Sequence, residues 1–444
     1  MRRTVLMYGM IALLSFAICN EVFAQQLVLK AGVAKTDITP AEPVRLGGYS
    51  LRDGPTTGVY GKLYLTALVF DDTKKKVLFV EANLTFFESE ARRRLISEAT
   101  GIPFENIIAG GSHNHSAPTE PRDNDDTEWS RQFDEKVIST VKNAIADIEP
   151  VKIGGGAGHS YIAMNRRKRM EDTLSYNTWD ENNTSQSYGK AKTDNPVLIH
   201  EMEGVIRLGA NPGGSIDDEV GVLRIDTLSG KPKAVFINYA CHGTSLGGRN
   251  SVISPEWMGH MIEYVEKNIP GVTGIFGQGA AGDINPRFIG GLDGRVDDLE
   301  ATANLGYEIG KEVVRVYKTI APILPTDPHI RVVNKDIECP LTYRRVMEDF
   351  THPTFIVPTT AVRIDDFTWV MFPGEMFHEI GQRVKASTHT TYSYLVGYAN
   401  GSVGYFPTQK AFSEGGYEPS GSRFDPVSEN IYVKAVNKML IELY

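Results

Sequence analysis

The sequence predicts an α/β fold, in which a layered domain holds a mixed β-sheet flanked by helices. Two observations support this class. Short apolar runs alternate with helix-like segments along most of the chain, and several apolar runs end in glycine or polar motifs. A chain of 444 residues with 41% hydrophobic and 23% charged residues is ordinary for a globular protein with a sizeable core.

Apolar patterns along the chain predict the individual strands and helices. Apolar runs at 63–72 and 76–84 indicate a strand pair, and residues 89–99 indicate a helix. Further short apolar runs predict strands at 105–111, 234–240, 274–280 and 367–372. Helical periodicity or spacing predicts helices at 129–149, 255–268, 297–319 and 376–386. The polar, turn-rich residues 170–196 are predicted to form a long surface loop.

The amino terminus has the pattern of a secretory signal peptide. Arg2 and Arg3 precede an apolar run, and Ala24 closes a motif of the kind that signal peptidases cleave. We therefore expect a signal peptide over residues 1–24 with cleavage after Ala24, and a single domain over residues 25–444. The mature protein is expected to be secreted or periplasmic, without a transmembrane anchor.

Charge and cysteine content narrow the partners and the covalent framework. A net charge of −9 without a long run of Lys or Arg argues against nucleic acid and against anionic membrane surfaces as partners. Cys241 and Cys339 remain after the expected cleavage. They could form one disulfide in an oxidising compartment, or Cys241 could be a free buried thiol, and the sequence leaves both alternatives open.

Four predicted strands lead directly into polar motifs. The strand at 105–111 precedes His113, the strand at 234–240 precedes His242, and the strand at 367–372 precedes Glu375. The fourth, at 274–280, leads into a glycine-rich exit that ends in Asp-Ile-Asn-Pro. Because ligands of open α/β sheets bind outside the carboxyl ends of strands, we expect these motifs to converge.

His113, His242 and Glu375 have the chemistry of a zinc site. Catalytic zinc takes three protein ligands from His, Asp, Glu or Cys and activates a water molecule in the remaining position. His115 shares the strand phase of His113 and is a candidate ligand, acid or substrate contact. Each residue also has a structural alternative. The His-x-His pair could be a polar loop, His242 a core histidine, and Glu375 a carboxylate at a helix amino terminus.

Other polar groups are candidates to bind the reacting molecule. The glycine-rich exit at 277–286 could hold an oxyanion or could be a tight turn. Tyr405 and Tyr417 could bind a metal or donate to an oxyanion, although loop tyrosines usually pack. Arg166 could hold a polar substrate group, or it could belong to a solvated basic loop.

Together these motifs resemble the catalytic domain of neutral/alkaline non-lysosomal ceramidases. The resemblance is carried, in the same order along nearly the whole mature chain, by GVAKTDITP (32–40), SHNHSAP (112–118), NYACHGTSLGG (238–248), ISPEWMGH (253–260), FGQGAAGDINP (276–286), FPGEMF (372–377) and the segment 405–417. The resemblance implies a zinc amidohydrolase with a ceramidase-like α/β catalytic domain.

The resemblance also implies roles for individual residues. It assigns zinc binding to His113, His242, Glu375 and Tyr405. It places His115 and Tyr417 in the lining of the active site. Arg166 is the candidate for an arginine that also lines the site in that family.

The chain departs from the family at two places. Asn285 stands where the family's ceramidases carry a Ser that acts at the reacting carbonyl, and an amide can donate a hydrogen bond but cannot act as that hydroxyl. The chain also ends soon after the tyrosine segment, so the family's C-terminal immunoglobulin-like domain is expected to be missing.

The leading hypothesis is a zinc-dependent amidohydrolase that cleaves an N-acyl amide bond by a zinc-activated water. A ceramide-like lipid is the first expected substrate, and a related acylated small molecule is the second. One alternative is an esterase or deacylase acting on acylated glycans. Another is a non-catalytic lipid- or glycan-binding relative that has lost the Ser. Iron or manganese could also occupy a site of His and Glu ligands.

Overall fold

The structure is a computed structural model that describes residues 28–50, 52–87, 89–122, 125, 127–170, 205–290, 296–342 and 352–444. The expected signal peptide and nearly all of the segment predicted as a surface loop at 170–196 lie outside the described residues.

The described residues form strands and helices that alternate along most of the chain. The strands are β1 Lys30–Asp37, β2 Gly58–Val59, β3 Tyr64–Asp71, β4 Lys76–Ala82, β5 Ile107–Gly111, β6 Glu149–His159, β7 Ala163–Arg169, β8 Ile206–Asn211, β9 Glu219–Thr227, β10 Pro232–Tyr239, β11 Val252–Ile253, β12 Thr273–Gln278, β13 Ile284–Pro286, β14 Ile330–Pro340, β15 Thr354–Ile364, β16 Phe367–Met371, β17 Glu375–Met376, β18 Tyr392–Val396 and β19 Tyr405–Phe406. The helices are α1 Glu90–Thr100, α2 Glu128–Ala146, α3 Glu256–Asn268, α4 Val296–Thr319, α5 His378–Lys385, α6 Gln409–Glu414, α7 Tyr417–Gly421 and α8 Ser428–Ile441.

The largest sheet is mixed and has eight strands in the order β12-β10-β9-β6-β1-β3-β4-β5. Its two outermost pairs, β10 with β12 and β4 with β5, are parallel. The inner pairs are antiparallel. The strands that precede the His-x-His motif and the glycine-rich exit are therefore the two edge strands of one sheet.

A second sheet of four strands, in the order β14-β15-β16-β18, packs face to face on the first. Phe70 and Phe79 of the large sheet share one apolar cluster with Trp369 and Tyr394 of the small sheet. This cluster forms the centre of the fold. Strand β3 shows why the apolar run at 63–72 is continuous: Leu68 faces this centre, whereas Ala67 faces the helices on the other side.

Helices cover the outer faces of both sheets. Helix α2 packs on β1 and β3, while α4 packs on β6 and β9 and also contacts α3. Helices α5 and α8 pack together, and α8 covers the outer face of β14 and β15. The layers therefore run helix, sheet, sheet, helix. The predicted α/β class with a mixed sheet and flanking helices is confirmed.

Most predicted elements are found with ends shifted by a few residues. The strand at 367–372 is present as β16, but it belongs to the smaller sheet. The helix predicted to reach residue 149 ends at Ala146, and Glu149 already begins β6.

Cys241 and Cys339 are both buried and free, so the disulfide alternative is wrong. Among the helices of the described ranges, none combines the length and apolar character needed to cross a membrane.

Candidate active site

The strand ends converge because residues 397–400 fill the gap between the two edge strands of the large sheet. The amide of Gly397 donates to the carbonyl of Gln278 at the end of β12. On the opposite side, Gly111 at the end of β5 donates to the carbonyl of Tyr398, and Asn400 donates to the carbonyl of Ala109. The smaller sheet, which supplies this segment after β18, thus joins the two edges at the site.

Three buried histidines meet at this point. The Nε2 atoms of His113 and His115 are 3.0 Å apart, and the rings of His113 and His242 lie with centroids 4.9 Å apart. The nitrogens that the three histidines can offer to a metal all lie within 4.8 Å of one another. The predicted convergence of the motifs after β5 and β10 is therefore found.

Backbone carbonyls orient two of the rings. Nδ1 of His113 lies 3.2 Å from the carbonyl oxygen of Thr85, and Nδ1 of His242 lies 2.9 Å from that of Ile284. A carbonyl can only accept, so each Nδ1 carries the proton and each Nε2 presents a lone pair to the centre. This arrangement is the usual way in which a protein orients histidines that bind a metal.

Burial keeps the imidazoles neutral. It lowers the pKa of His113 to about 3, and it lowers the pKa of His115 and of His242 well below the ordinary value. The neighbouring guanidinium of Arg166 lowers the pKa of His242 further. Neutral imidazole is the form that binds metals, so the site holds its ligands ready at neutral pH.

The carboxylate of Glu375 completes the donor set. Its Oε2 lies 3.1 Å from Nε2 of His242 and 3.7 Å from Nε2 of His113. Glu375 lies in β17, three residues before helix α5 begins at His378, and not in the helix itself. The parallel pairing of β17 with β19 places Tyr405 directly beside Glu375. Burial, and then the charge of Glu375, raise the pKa of Tyr405 well above its ordinary value.

His115 lies against the other two histidines and has an unused nitrogen. Its Nδ1 is buried and has no hydrogen-bond partner among the described residues. The ring fits against Gly48, whose φ is +86° and where a Cβ atom would lie 2.3 Å from the imidazole. Tyr49 packs edge-on at a centroid distance of 4.9 Å. The position of His115 therefore depends on a glycine far away in the sequence.

Arg166 is buried in β7 and points to the same centre. Its Nη1 lies 3.1 Å from Nε2 of His242 and donates to Oδ1 of Asn285 at 3.2 Å. Its Nε donates to the buried carboxylate of Glu418 at 2.8 Å. Nη2 is buried and has no partner within the described part of the chain. Arg166 is thus part of a strand in the protein interior, and the alternative of a solvated basic loop is wrong.

The two tyrosines of the late segment lie together near Arg166. The rings of Tyr405 and Tyr417 are 5.5 Å apart, and the guanidinium of Arg166 lies 5.4 Å from the ring of Tyr405. Burial raises the pKa of Tyr417 above its ordinary value, so its phenol keeps its proton. The structure therefore brings together all the residues singled out from the sequence, including Asn285 through its bond to Arg166.

Several residues around the site have an unusual backbone conformation with positive φ. Six described residues other than glycine have positive φ, and His113, Glu256, Tyr398 and Asn400 are four of them. The ring of Tyr398 stacks on that of His113 at 4.1 Å, and the carboxylate of Glu256 accepts from Ser116 at 3.1 Å. Such conformations are costly and cluster where a protein fixes functional groups.

Three residues of the site, Tyr398, Glu256 and Glu418, were not predicted from the sequence. Glu418 is 1% exposed and binds both Arg166 and Arg167, the latter at 2.9 Å. Tyr398 and Glu418 stand outside the motifs and carry no spacing signal, whereas Glu256 lies within ISPEWMGH (253–260). Only the adjacency of Glu418 to Tyr417 could have drawn attention to it.

The donor set fits a zinc ion. Ligand atoms bound to tetrahedral zinc at about 2.0–2.1 Å lie roughly 3.3 Å from one another. The separations of 3.0 Å between His113 and His115, and of 3.1 Å and 3.7 Å from Glu375 to His242 and His113, are close to that value. The Nε2 lone pairs of His113 and His242 and the carboxylate of Glu375 would favour a cation between them in this buried site.

Comparisons with known proteins agree with this fold. No protein-family model matches the chain. Neutral ceramidase A of Dictyostelium discoideum is 23% identical over 282 residues, which span 58% of this chain and 36% of that protein. Neutral ceramidase of Pseudomonas aeruginosa is 22% identical over 290 residues, which span 60% of this chain and 38% of that protein. The matched region thus spans less than two-fifths of these relatives.

Solved structures extend the similarity over almost the whole chain. The crystal structure of the neutral ceramidase from Pseudomonas aeruginosa superposes with a TM-score of 0.70 at 16% identity, covering 94% of this chain and 75% of that one. A structure of a ceramidase complexed with C2 gives the same values. The chain therefore shares its fold with neutral ceramidases and is related to them in sequence.

Proposed function

We propose that this protein, which shares the fold of neutral ceramidases, is a zinc-dependent hydrolase of an N-acyl amide bond. A ceramide-like lipid is the first proposed substrate. The observation that carries the proposal is the convergence of three neutral histidine side chains and the Glu375 carboxylate in one buried site. The relation to proteins that are named neutral ceramidases supports the proposed bond type and substrate class.

In this proposal His113, His242, Glu375 and Tyr405 hold the metal. A bound zinc ion would supply Lewis acidity and would lower the pKa of a coordinated water. Two of these ligands are oriented by the carbonyls of Thr85 and Ile284, which fix the tautomers. Tyr405 is positioned by the backbone pairing of β17 and β19.

The other residues act on the substrate. Nη2 of Arg166 is a buried donor without a partner among the described residues, and it can bind the carbonyl oxygen as that oxygen becomes negative. The phenol of Tyr417 retains its proton and can donate to the same oxygen. Asn285 accepts from Arg166 through its Oδ1 atom. We propose that it stands where the family resemblance leads one to expect a Ser. His115, whose Nδ1 has no partner among the described residues, can take a proton from the attacking water and pass it to the leaving amine.

A second candidate function follows from the number of donors. His115 lies as close to His113 as Glu375 does to His242, so five protein donors surround the centre. A metal closed by protein ligands has no position for water and is structural. In that case the fold would bind a lipid or an acylated glycan without cleaving it. An esterase acting on acylated glycans would use the same groups on a different bond.

The proposal is tested by metal analysis combined with hydrolysis assays on the purified protein. The panel contains ceramides, N-acyl amino acids, acylated sugars and simple esters, each with and without chelator. We expect about one zinc per chain, chelator-sensitive release of fatty acid from ceramide, and loss of both in His242→Ala. His159→Ala, at an exposed histidine outside the site, serves as the matched control and should retain both.

Each outcome has a defined meaning. Zinc binding with no turnover on any substrate would favour the binding function. Turnover of esters or acylated sugars alone would favour the deacylase. Full activity in His242→Ala would contradict the whole assignment.

We also propose that the protein is exported, because Arg2, Arg3 and the apolar run before Ala24 have the pattern of a signal peptide. Sequencing of the mature amino terminus from secreted or periplasmic material should begin at Gln25. A mature protein that retains residues 1–24 would contradict this proposal.

A further inference from the structure

A cavity in the described part of the protein is separate from the histidine site. It has a volume of about 440 Å³, which is within the range of small-molecule sites. Its walls come from β1, β3, β4, helix α3 and helix α4, and include Glu81, His260 and Tyr307. None of the proposed metal ligands lines it.

The cavity lies behind the His-x-His segment. Asn83 lines it and uses its side chain to bind the segment from that side. Its Nδ2 donates to Ser112 at 3.0 Å, and its Oδ1 accepts from Asn114 at 2.9 Å. The residues on both sides of His113 thus form a partition between the cavity and the candidate active site.

The charges that line the cavity are matched within the protein. Lys35 pairs with Glu266 at 2.8 Å, and Lys62 pairs with Asp37 at 2.9 Å. Burial raises the pKa of Glu81 to about 8, so this carboxyl is mostly protonated at neutral pH. The lining therefore has no strong net charge to offer, and a highly charged ligand would lose its hydration without gaining a partner.

One buried side chain in the wall has an unfilled hydrogen-bonding capacity. His260 is 6% exposed, and its Nδ1 lies 3.3 Å from the carboxylate of Glu263. That contact fixes the proton on Nδ1 and leaves Nε2 as an acceptor. Nε2 is buried and has no partner among the residues that the structure describes. A donor O–H or N–H that reached this atom would satisfy it.

Aromatic rings form much of the remaining wall. Tyr60 and Tyr307 pack edge-on against the ring of His260 at 5.8 Å and 5.9 Å, and Tyr64 and Phe276 also line the cavity. Tyr60 is 41% exposed, so it stands at the rim. Apolar ring surfaces combined with a few directed polar groups are the usual composition of a small-molecule site.

We propose that this cavity binds an uncharged sugar unit. A pyranose ring has hydroxyl donors for His260 and Glu81 and an apolar C–H face for the tyrosines, and it carries no charge that the matched lining would leave unpaired. A small organic cation, which could stack on the same rings, is the competing ligand class. The proposal concerns a site distinct from the histidine centre and does not depend on the reaction that takes place there.

The test is isothermal titration of the full chain with neutral methyl glycosides of common hexoses and N-acetylhexosamines at pH 7. Glucuronate, choline and spermidine are titrated in parallel. We expect at least one neutral glycoside to bind, and the charged molecules not to bind. Tyr60→Ala and His260→Phe should each weaken the affinity by about tenfold, because an aromatic contact and a buried hydrogen bond are each worth about 1 kcal/mol.

Two matched variants make the result specific. Tyr161→Ala removes a tyrosine that is 64% exposed and does not line the cavity, and it should bind as the unsubstituted protein does. His242→Ala disrupts the histidine centre and should leave sugar affinity unchanged. Loss of sugar binding in His242→Ala would place the sugar in the histidine centre. The proposal would be overturned if only choline or spermidine bound. It would also be overturned if no neutral glycoside bound at about 50 mM.

Discussion

At the scale of single residues, Gly48 and His115 form the most sensitive contact of the candidate active site. A Cβ atom at Gly48 would lie 2.3 Å from the imidazole, so Gly48→Ala must move the ring. We expect hydrolysis to fall by roughly a hundredfold, since a displacement of about 1 Å has that effect on aligned groups. The measurement is kcat/KM on whichever substrate the screen identifies.

Gly54→Ala is the matched control for this prediction. Gly54 also has positive φ, at +80°, but no atom of the described residues lies within 4 Å of its added Cβ. Both variants should lose about 1 kcal/mol or more of stability because alanine is strained in that backbone region. Equal activities in the two variants would show that His115 takes no part in the reaction.

Glu81 gives a prediction about pH. Burial raises the pKa of Glu81 in the folded protein to about 8, above the ordinary value of 4.5. Between these two values the unfolded chain loses the proton while the folded chain keeps it, so the stability of the fold decreases as the pH rises. Glu81→Gln cannot ionise, and it should therefore raise the melting temperature at pH 8.5 more than at pH 5.

Exposed Glu98, on helix α1, supplies the control for the pH prediction. Glu98→Gln should change the melting temperature by the same small amount at both pH values. A Glu81→Gln effect that does not depend on pH would show that the carboxyl is ionised in the fold.

Site residues could be predicted from the sequence where they belong to motifs at the ends of strands. His113, His242 and Glu375 were found in this way, because the carboxyl end of a strand is where a sheet presents side chains to a ligand. Glu418 and Tyr398 were not, since each acts through a contact with a residue distant in sequence. Neither periodicity nor spacing contains that information.

At the scale of secondary-structure elements, Glu418 connects helix α7 to strand β7. Its carboxylate accepts from Arg166 at 2.8 Å and from Arg167 at 2.9 Å, and all three side chains are buried. Glu418→Ala leaves two guanidinium groups short of their counterion in the interior. We expect a loss of about 3–5 kcal/mol in the free energy of unfolding, measured by urea denaturation.

Glu414 provides the comparison for this prediction. It also pairs with Arg167, at 3.3 Å, but its side chain is 33% exposed. Glu414→Ala should cost less than about 1 kcal/mol, as do most pairs near the surface. If both substitutions cost the same, burial of the Glu418 pairs does not determine their contribution.

The elements themselves were largely predictable, whereas their assignment to sheets was not. Strand β16 is an apolar run like β10, yet it lies in the smaller sheet. Strands β10 and β16 are both buried on their two faces, so they have the same continuous apolar pattern. The helix end at Ala146 was missed because Ile148 continues the apolar pattern and packs on the same cluster.

At the scale of the whole molecule, a bound metal should contribute to global stability. The proposed ligands lie after β5, after β10, in β17 and in β19, so the ion would join segments from across the fold. Ligand binding to the folded state alone stabilises it by about 4 kcal/mol when the free ligand is a thousandfold above its dissociation constant. We expect the melting temperature to be lower with chelator and to recover with added zinc.

His242→Ala is the control for the metal effect and should melt at the same temperature with chelator or zinc. A melting temperature of the unsubstituted protein that is unchanged by chelator and by zinc would count against a metal at this centre.

The joining of distant segments also affects how the protein is made. Glu375 follows His242 by 133 residues. A ribosome that adds about 5–20 residues per second needs roughly 7–27 s to cover that distance. During this interval the nascent chain has its histidines but not the carboxylate that closes the centre. A metal that requires the complete set is therefore acquired where folding finishes, and its identity is decided by the ions available in that compartment.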